Sequence, residues 1–150
     1  MFFRRKGPER TNGIIDLYPL HFAPPDRWLQ FGEERVWKIS LHGQRDEIGQ
    51  ISYRNGESFA IYYFGHIGYH VDPPFQGHGY AFQACELIRD VIAKDGKSSV
   101  VITCDPDNIP SRKTCEKLGS CLERIVDVPI RLRERYDISS IKCRYIWRIE

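Results

Sequence analysis

The sequence changes period abruptly around residue 76, and little else in it constrains the fold so strongly. From His66 to Val71 the chain alternates: Ile67, Tyr69 and Val71 share one face, and His66, Gly68 and His70 the other. That is the pattern of a half-buried strand. Asp72-Pro73-Pro74 stops it, because proline has no N–H to give a ladder. Gln76-Gly77-His78-Gly79 then turns the chain. Tyr80, Ala81, Ala84, Leu87, Ile88, Val91 and Ile92 follow at the spacing of one helical stripe, which Gly96 ends. A strand feeding a helix through so short a turn leaves the first helical N–H groups without internal partners. Glycines let that backbone approach a ligand closely. With the helix dipole the free donors form an anion site, commonly filled by a pyrophosphate. A dinucleotide fingerprint would need glycine where Phe82 stands, and no Gly-Lys-Ser/Thr ending marks a P-loop. Taken alone, the turn is equally compatible with a tight connection that binds nothing.

The flanking segments supply a sheet. Val36–Leu41 and Ile48–Tyr53 read as hairpin strands across a polar loop, and Asn55-Gly56 is a turn. Phe59–Phe64 is aromatic and β-prone, and is expected to continue the sheet. Ser99–Cys104 suits a buried strand. Asp105-Pro106-Asp107-Asn108 caps a short helix running to about Leu118, which Gly119 ends. Cys121–Val128 and Ile141–Ile149 read as late strands joined by the charged connector Arg131–Arg135. Residues 1–32 are poorly defined: Pro19, Pro24 and Pro25 interrupt any helix, and Trp28 and Phe31 are candidates to pack on a core. The expected fold is mixed α/β (α+β type), one sheet flanked by helices, and 150 residues suit a single domain.

Several classes are disfavoured. No apolar run approaches the roughly 20 residues of a membrane helix. The basic start, Met1 to Lys6, lacks a following apolar core, so a cytoplasmic location is expected. A net charge of +2 is too small to argue for nucleic acid. The 5 cysteines (Cys85, Cys104, Cys115, Cys121 and Cys143) are odd in number and form no C-x-x-C pair. Free, mostly buried thiols are expected, with neither a disulfide framework nor a metal site.

Gln76-x-x-Gly79-x-Ala81 resembles the pyrophosphate-binding motif of the GNAT superfamily of N-acetyltransferases. Asn108-Ile109-Pro110-Ser111-Arg112 and Glu116-Lys117-Leu118-Gly119 resemble that superfamily's later helix. Gly65-His66-Ile67-Gly68-Tyr69, Cys104-Asp105-Pro106-Asp107-Asn108 and Lys142-Cys143-Arg144-Tyr145 are similar to a bacterial branch of it. The resemblance runs from about Val36 to the end and is strongest over residues 65–119. It implies a mostly antiparallel sheet with a shortened N-terminal region, and acetyl-CoA as co-substrate. Main-chain groups of Gln76, Gly77, His78, Gly79, Tyr80 and Ala81 would hold the pyrophosphate. Tyr69, His70 and Val71 would pair with the pantetheine arm as an added strand does. Asn108 and Ser111 would meet the arm from the second side, and Arg112 or Lys113 a phosphate.

The resemblance also implies direct attack of an amine on the thioester, with a strand N–H polarising the carbonyl. The superfamily's usual glutamate base falls at Gly65, leaving Glu57, His66 and His70 as substitutes. Its usual tyrosine acid falls at Cys115. A thiol can donate a proton, and a buried cysteine can equally be inert packing. The acceptor is an amine-bearing small molecule or peptide. The short N-terminal region leaves its cleft open or completed by a second subunit, as in a homodimer. The basic connector, if it lies at the mouth, would favour an acidic acceptor. A non-catalytic module that binds acyl-CoA is the alternative.

Overall fold

A computed structural model describes residues 6–20 and 29–150. Its strands are β1 (Arg10–Thr11), β2 (Ile15–Pro19), β3 (Glu34–Leu41), β4 (Gly49–Arg54), β5 (Ile67–Val71), β6 (Ser99–Cys104), β7 (Cys121–Asp127) and β8 (Ile141–Arg148). The helices are α1 (Phe59–Phe64), α2 (Tyr80–Leu87), α3 (Arg89–Lys94), α4 (Ile109–Lys117) and α5 (Ile130–Arg135). All 8 strands form one sheet in the order β1-β2-β3-β4-β5-β6-β8-β7. Every neighbour is antiparallel except β5 and β6, which run parallel. The mixed, mostly antiparallel sheet flanked by helices is the architecture expected above. Trp37, Ile51, Tyr53, Ile67, Ile102, Tyr145 and Trp147 present one continuous apolar face, and Cys85, Ile88 and Ile92 of α2, α3 and their junction pack against it.

Four local expectations are corrected. Phe59–Phe64 is a helix, not a strand: the Ser58 hydroxyl caps it by accepting from the Ile61 N–H at 3.1 Å. Ala60 and Ile61 turn together into a second cluster with Leu29, Phe31, Phe64 and Tyr136. Spacing there overrode the β propensity of the aromatics. Phe31 thus packs as expected, whereas Trp28, the prolines at 24 and 25 and the basic residues 1–5 lie outside the described residues. The single helix expected after Gly79 is two, broken at Ile88, whose N–H is shared by the carbonyls of Ala84 (3.3 Å) and Cys85 (3.2 Å). That tighter turn interrupts the ladder. The charged connector contains α5, anchored by the fully buried Leu132.

The N-terminal region also holds two strands that the prolines hid. Pro19 ends β2, a tolerated position. Asp16 of β2 is buried, which its bonds to Thr11 Oγ1 (2.5 Å), His42 Nδ1 (2.8 Å) and the Gly43 N–H (2.9 Å) allow. At the opposite edge, β7 bulges between Leu122 and Arg124. The Glu123 carboxylate there accepts from Arg144 Nε at 3.0 Å, and the Arg144 guanidinium lies 3.6 Å from the centre of the Tyr62 ring.

The parallel junction is the weak seam of the sheet. β5 and β6 pair at one position, Ile67 with Ile102. Two bonds from His66 reinforce it: its N–H donates to the Val101 carbonyl (2.8 Å) and its Nδ1 accepts from the Val101 N–H (2.9 Å). Nε2 then carries the proton and donates to Glu57 at 2.8 Å. Burial holds the His66 pKa below its ordinary value, against the pull of Glu57. Gly65 (φ +78°, ψ 167°) lies so close to β6 that a Cβ would sit 3.0 Å from the Val101 carbonyl oxygen and 3.1 Å from the Thr103 nitrogen. A side chain at residue 65 would therefore be strained, by its φ and by the close seam.

Gly65→Ala should lower stability by about 1–3 kcal/mol in urea unfolding. The strain at that φ exceeds the roughly 0.4–1 kcal/mol recovered from the unfolded chain. An unshifted midpoint would contradict this. His66 takes a proton near pH 6.5 when unfolded but resists it when folded. Its clamp therefore contributes fully above that pH, and the contribution is lost as pH falls through the lower folded pKa. Wild-type stability should decline on acidification below about pH 6.5, and less steeply in His66→Asn, whose carboxamide oxygen can still accept from Val101. Identical slopes would show that His66 does not titrate on unfolding.

Candidate functional site

Beyond Ile67 the two strands part. The Asp72 N–H donates to the Ile48 carbonyl at 2.8 Å, so the even-numbered residues of β5 direct their main-chain groups toward β4. Tyr69 and Val71 direct theirs toward the gap, where β6 no longer pairs. Of these groups the Val71 carbonyl is taken, by Gln76 Nε2 at 2.8 Å.

Two cavities meet at this gap. The first, of about 540 Å³, lies between α2 and α4. It is lined by Tyr69, His70 and Val71, by Gln76, Gly77 and Gly79 to Phe82, and by Asn108, Ser111, Lys113 and Lys117 of the α4 segment. The second, of about 510 Å³, opens on the α1 side, among Arg54, Phe64, Gly68, Thr103 and the segment Asp137–Ser139. Tyr69, Asn108 and Ser111 line both.

Gly79, at φ +75°, precedes α2 without any side-chain cap. The first loop bond re-entering the helix runs from the Gln83 N–H to the Gly79 carbonyl at 3.0 Å. Among the described residues the N–H groups of Gly77 to Phe82 have no protein acceptor, and those of the first helical turn face a cavity rather than packing. Such a row of donors at a helix start is an anion cradle. Two predicted members differ. The Gln76 N–H is spent on the Pro73 carbonyl (3.3 Å), and His78 stays off the cavity, stacked on Tyr80.

The α4 residues separate by face. Asn108 caps the helix, its Oδ1 accepting from the Ser111 N–H at 3.2 Å, and its carboxamide borders both cavities. Arg112 is turned away, donating to the Tyr145 hydroxyl (3.0 Å) and the Pro106 carbonyl (3.2 Å), so it is no phosphate ligand in this geometry. Lys113 and Lys117, one turn apart, supply the positive charge instead. Lys117 Nζ lies over Phe82 at 4.4 Å and would be 3.5 Å from a Cβ on Gly79. Sequence reasoning missed Lys117, though its i, i+4 spacing from Lys113 held the signal.

The candidate acid and base residues are scattered. His66 has both ring nitrogens occupied, and Glu57 pairs with it and with Lys97 (2.7 Å), away from both cavities. Burial would raise the Glu57 carboxyl, but Lys97 and His66 outweigh it and hold it below the usual range. His70 borders the first cavity at its exposed rim, 3.9 Å from Asp72. Cys115 is fully buried and borders neither cavity. Its hydrogen bond to Cys104, with burial, pushes its thiol up, so it stays protonated. Cys121 is exposed and the other thiols are buried, all free.

The basic connector does not form the mouth of the second cavity. Arg131 covers Phe59 at 4.1 Å, and Arg133 donates to the Val128 carbonyl. Within the second cavity Arg54 pairs with Glu34 (2.6 Å) and Lys142 with Asp105 (2.8 Å). Asp137 has no ion-pair partner among the described residues, so the uncompensated charge there is negative. Among the described residues no helix is long and apolar enough to cross a membrane.

Comparisons with known proteins agree with this architecture. Residues 9–120 match the Acetyltransferase (GNAT) domain family. A stretch of 62 residues is 36% identical to YnaD, an uncharacterized N-acetyltransferase of Bacillus subtilis, covering 38% of this chain and 36% of that protein. The match thus spans little more than a third of that relative's length. The ribosomal-protein-S5-alanine acetyltransferase of Vibrio fischeri superposes with a TM-score of 0.60 at 21% identity, over 78% of this chain and 62% of the other. A GNAT family acetyltransferase of Elizabethkingia anophelis, solved with acetyl-CoA bound, superposes at 0.62 and 12% identity, over 92% and 99%. At those identities the likeness is one of fold. With the family match covering most of the chain, and the split sheet and uncapped α2 beside it, this protein belongs to the GNAT acetyltransferase family.

Proposed function

We propose that the protein transfers an acetyl group from acetyl-CoA to a primary amine by direct attack. The observation that carries this is the row of unpaired N–H groups from Gly77 to Phe82, opening onto a cavity that leads into the split between β5 and β6. Those donors and the dipole of α2 suit a pyrophosphate. Lys113 and Lys117 add positive charge on the facing helix. From there the amide-bearing arm would run along β5, pairing with the main-chain groups of Tyr69 and the Val71 N–H. Asn108 faces the arm from across the gap. The thioester would then arrive where the two cavities join, and the main-chain N–H of Tyr69, free of β6, is a donor for its carbonyl oxygen.

The acceptor would enter through the second cavity. Its uncompensated Asp137 favours a cation at the mouth, which suits an ammonium group better than the acidic acceptor suggested by the connector. The Vibrio fischeri relative is a ribosomal-protein-S5-alanine acetyltransferase, which keeps a protein N-terminus among the acceptors to be tried. No side-chain base borders the second cavity among the candidates named above, so the amine would lose its proton to water. That same gap supports the second reading, a module that binds acyl-CoA without turning it over.

Mixing the protein with acetyl-CoA and a panel of diamines, amino acids and short peptides should release free thiol with at least one amine. Tight acetyl-CoA binding with no release on any amine would favour the non-catalytic module. Gly79→Val should abolish CoA binding measured by calorimetry while the protein stays folded, because residue 79 needs positive φ and open space above it. Wild-type affinity in that variant would remove the cradle from consideration. Lys117→Ala should weaken acetyl-CoA binding about tenfold and flatten its salt dependence. An unchanged dissociation constant would place that ammonium off the phosphates.

A further inference from the structure

Expulsion of coenzyme A needs a proton at sulfur, and neither Cys115, the candidate acid, nor the candidate bases Glu57 and His66 reach the junction of the cavities. Cys115 borders neither cavity, and His66 and Glu57 are committed to the seam and to Lys97. Tyr69 is different. It rises from the part of β5 that has lost its β6 partner, and it borders both cavities. Its hydroxyl is held against α4, 2.9 Å from Ser111 Oγ, 3.4 Å from the Ser111 carbonyl and 3.8 Å from Cys115 Sγ. That places a phenol beside the very turn of α4 where Cys115 stands. The Ser111 hydroxyl can donate to the phenol oxygen, and the phenolic proton is held only by a long bond to the Ser111 carbonyl, at 3.4 Å, which it can leave.

We infer that Tyr69 is the proton donor to the departing thiolate, supplied from β5 rather than from α4; this rests on the acetyl-transfer reading above. The amine nitrogen attacks the carbonyl carbon and a C–N bond forms. The C–S bond breaks with its electron pair on sulfur, and sulfur takes the Tyr69 proton to give the free thiol. The attacking nitrogen releases its extra proton to water, and the phenolate regains one from water. Burial keeps Tyr69 protonated, its pKa well above the ordinary phenol value. The transfer accompanies C–S cleavage, so the phenol gives up its proton only as the sulfur gains its electron pair.

The test is Tyr69→Phe beside Cys115→Ala, each in the full chain. Tyr69→Phe should lower kcat about 100-fold, leave the CoA dissociation constant unchanged and abolish the solvent isotope effect on kcat. Cys115→Ala should lose far less. Wild-type kcat in Tyr69→Phe overturns the assignment, as does an equal loss of kcat and CoA affinity, which would make Tyr69 a strut between β5 and α4. A greater loss in Cys115→Ala overturns it in favour of the thiol. If the wild type itself releases no thiol with any amine, the acid assignment falls together with the acetyl-transfer reading. A normal wild type beside an unaffected Tyr69→Phe removes the acid alone.

Discussion

One parallel pairing, Ile67 with Ile102, holds the two halves of the sheet together, and everything of functional interest lies where that pairing stops. A longer ladder would have satisfied the main-chain groups of Tyr69 and Val71 and closed the space between the cavities. A shorter one would leave β1–β5 and β6–β8 as separate sheets. The balance is set within two residues. Gly65 brings the backbone close to β6, and His66 adds a side-chain acceptor to the ladder. Burying the imidazole costs some basicity, but it converts an exposed-edge N–H at Val101 into a bonded one.

That seam also limits which side chains the site can carry. A side chain at residue 65 would be strained by its positive φ and by the approach to Val101 and Thr103. The same contact that fixes the split therefore favours glycine there. On α4, Cys115 is small enough to be covered completely, which leaves room for the hydroxyl of Tyr69 to reach Ser111.

The strand, glycine turn and helix from residue 66 to 87 were legible because period and turn chemistry agree there. So were the hairpin of β3 and β4, the buried β6 and the cap at Asn108. The cradle was legible for the same reason: glycines at 77 and 79 leave main-chain donors with nothing to bind. Errors arose where tertiary contacts override local preference. Aromatic residues 59–64 look like a strand until Ser58 caps them, and β2 looks irregular because its buried Asp16 is satisfied by residues far along the chain. Orientation about a helix axis was the other limit. Arg112 and Lys113 are adjacent in sequence, but only α4 packed on β8 shows that the first faces Tyr145 and the second the cavity. The roles of Glu57 and His66 were misplaced because their bonds reach Lys97 and Val101, some 35 to 40 residues on.

The irregularity in β7 has a consequence of its own. This strand is the outer boundary of the sheet and carries the exposed Leu122 and Ile125. A flat boundary of that kind would recruit strands from other molecules. The extra residue at Glu123 kinks the backbone between those two apolar residues, and its carboxylate is tethered inward to Arg144. An incoming strand would find its register broken midway and a charge beside the break. The distortion thus guards this edge of the sheet against runaway self-association.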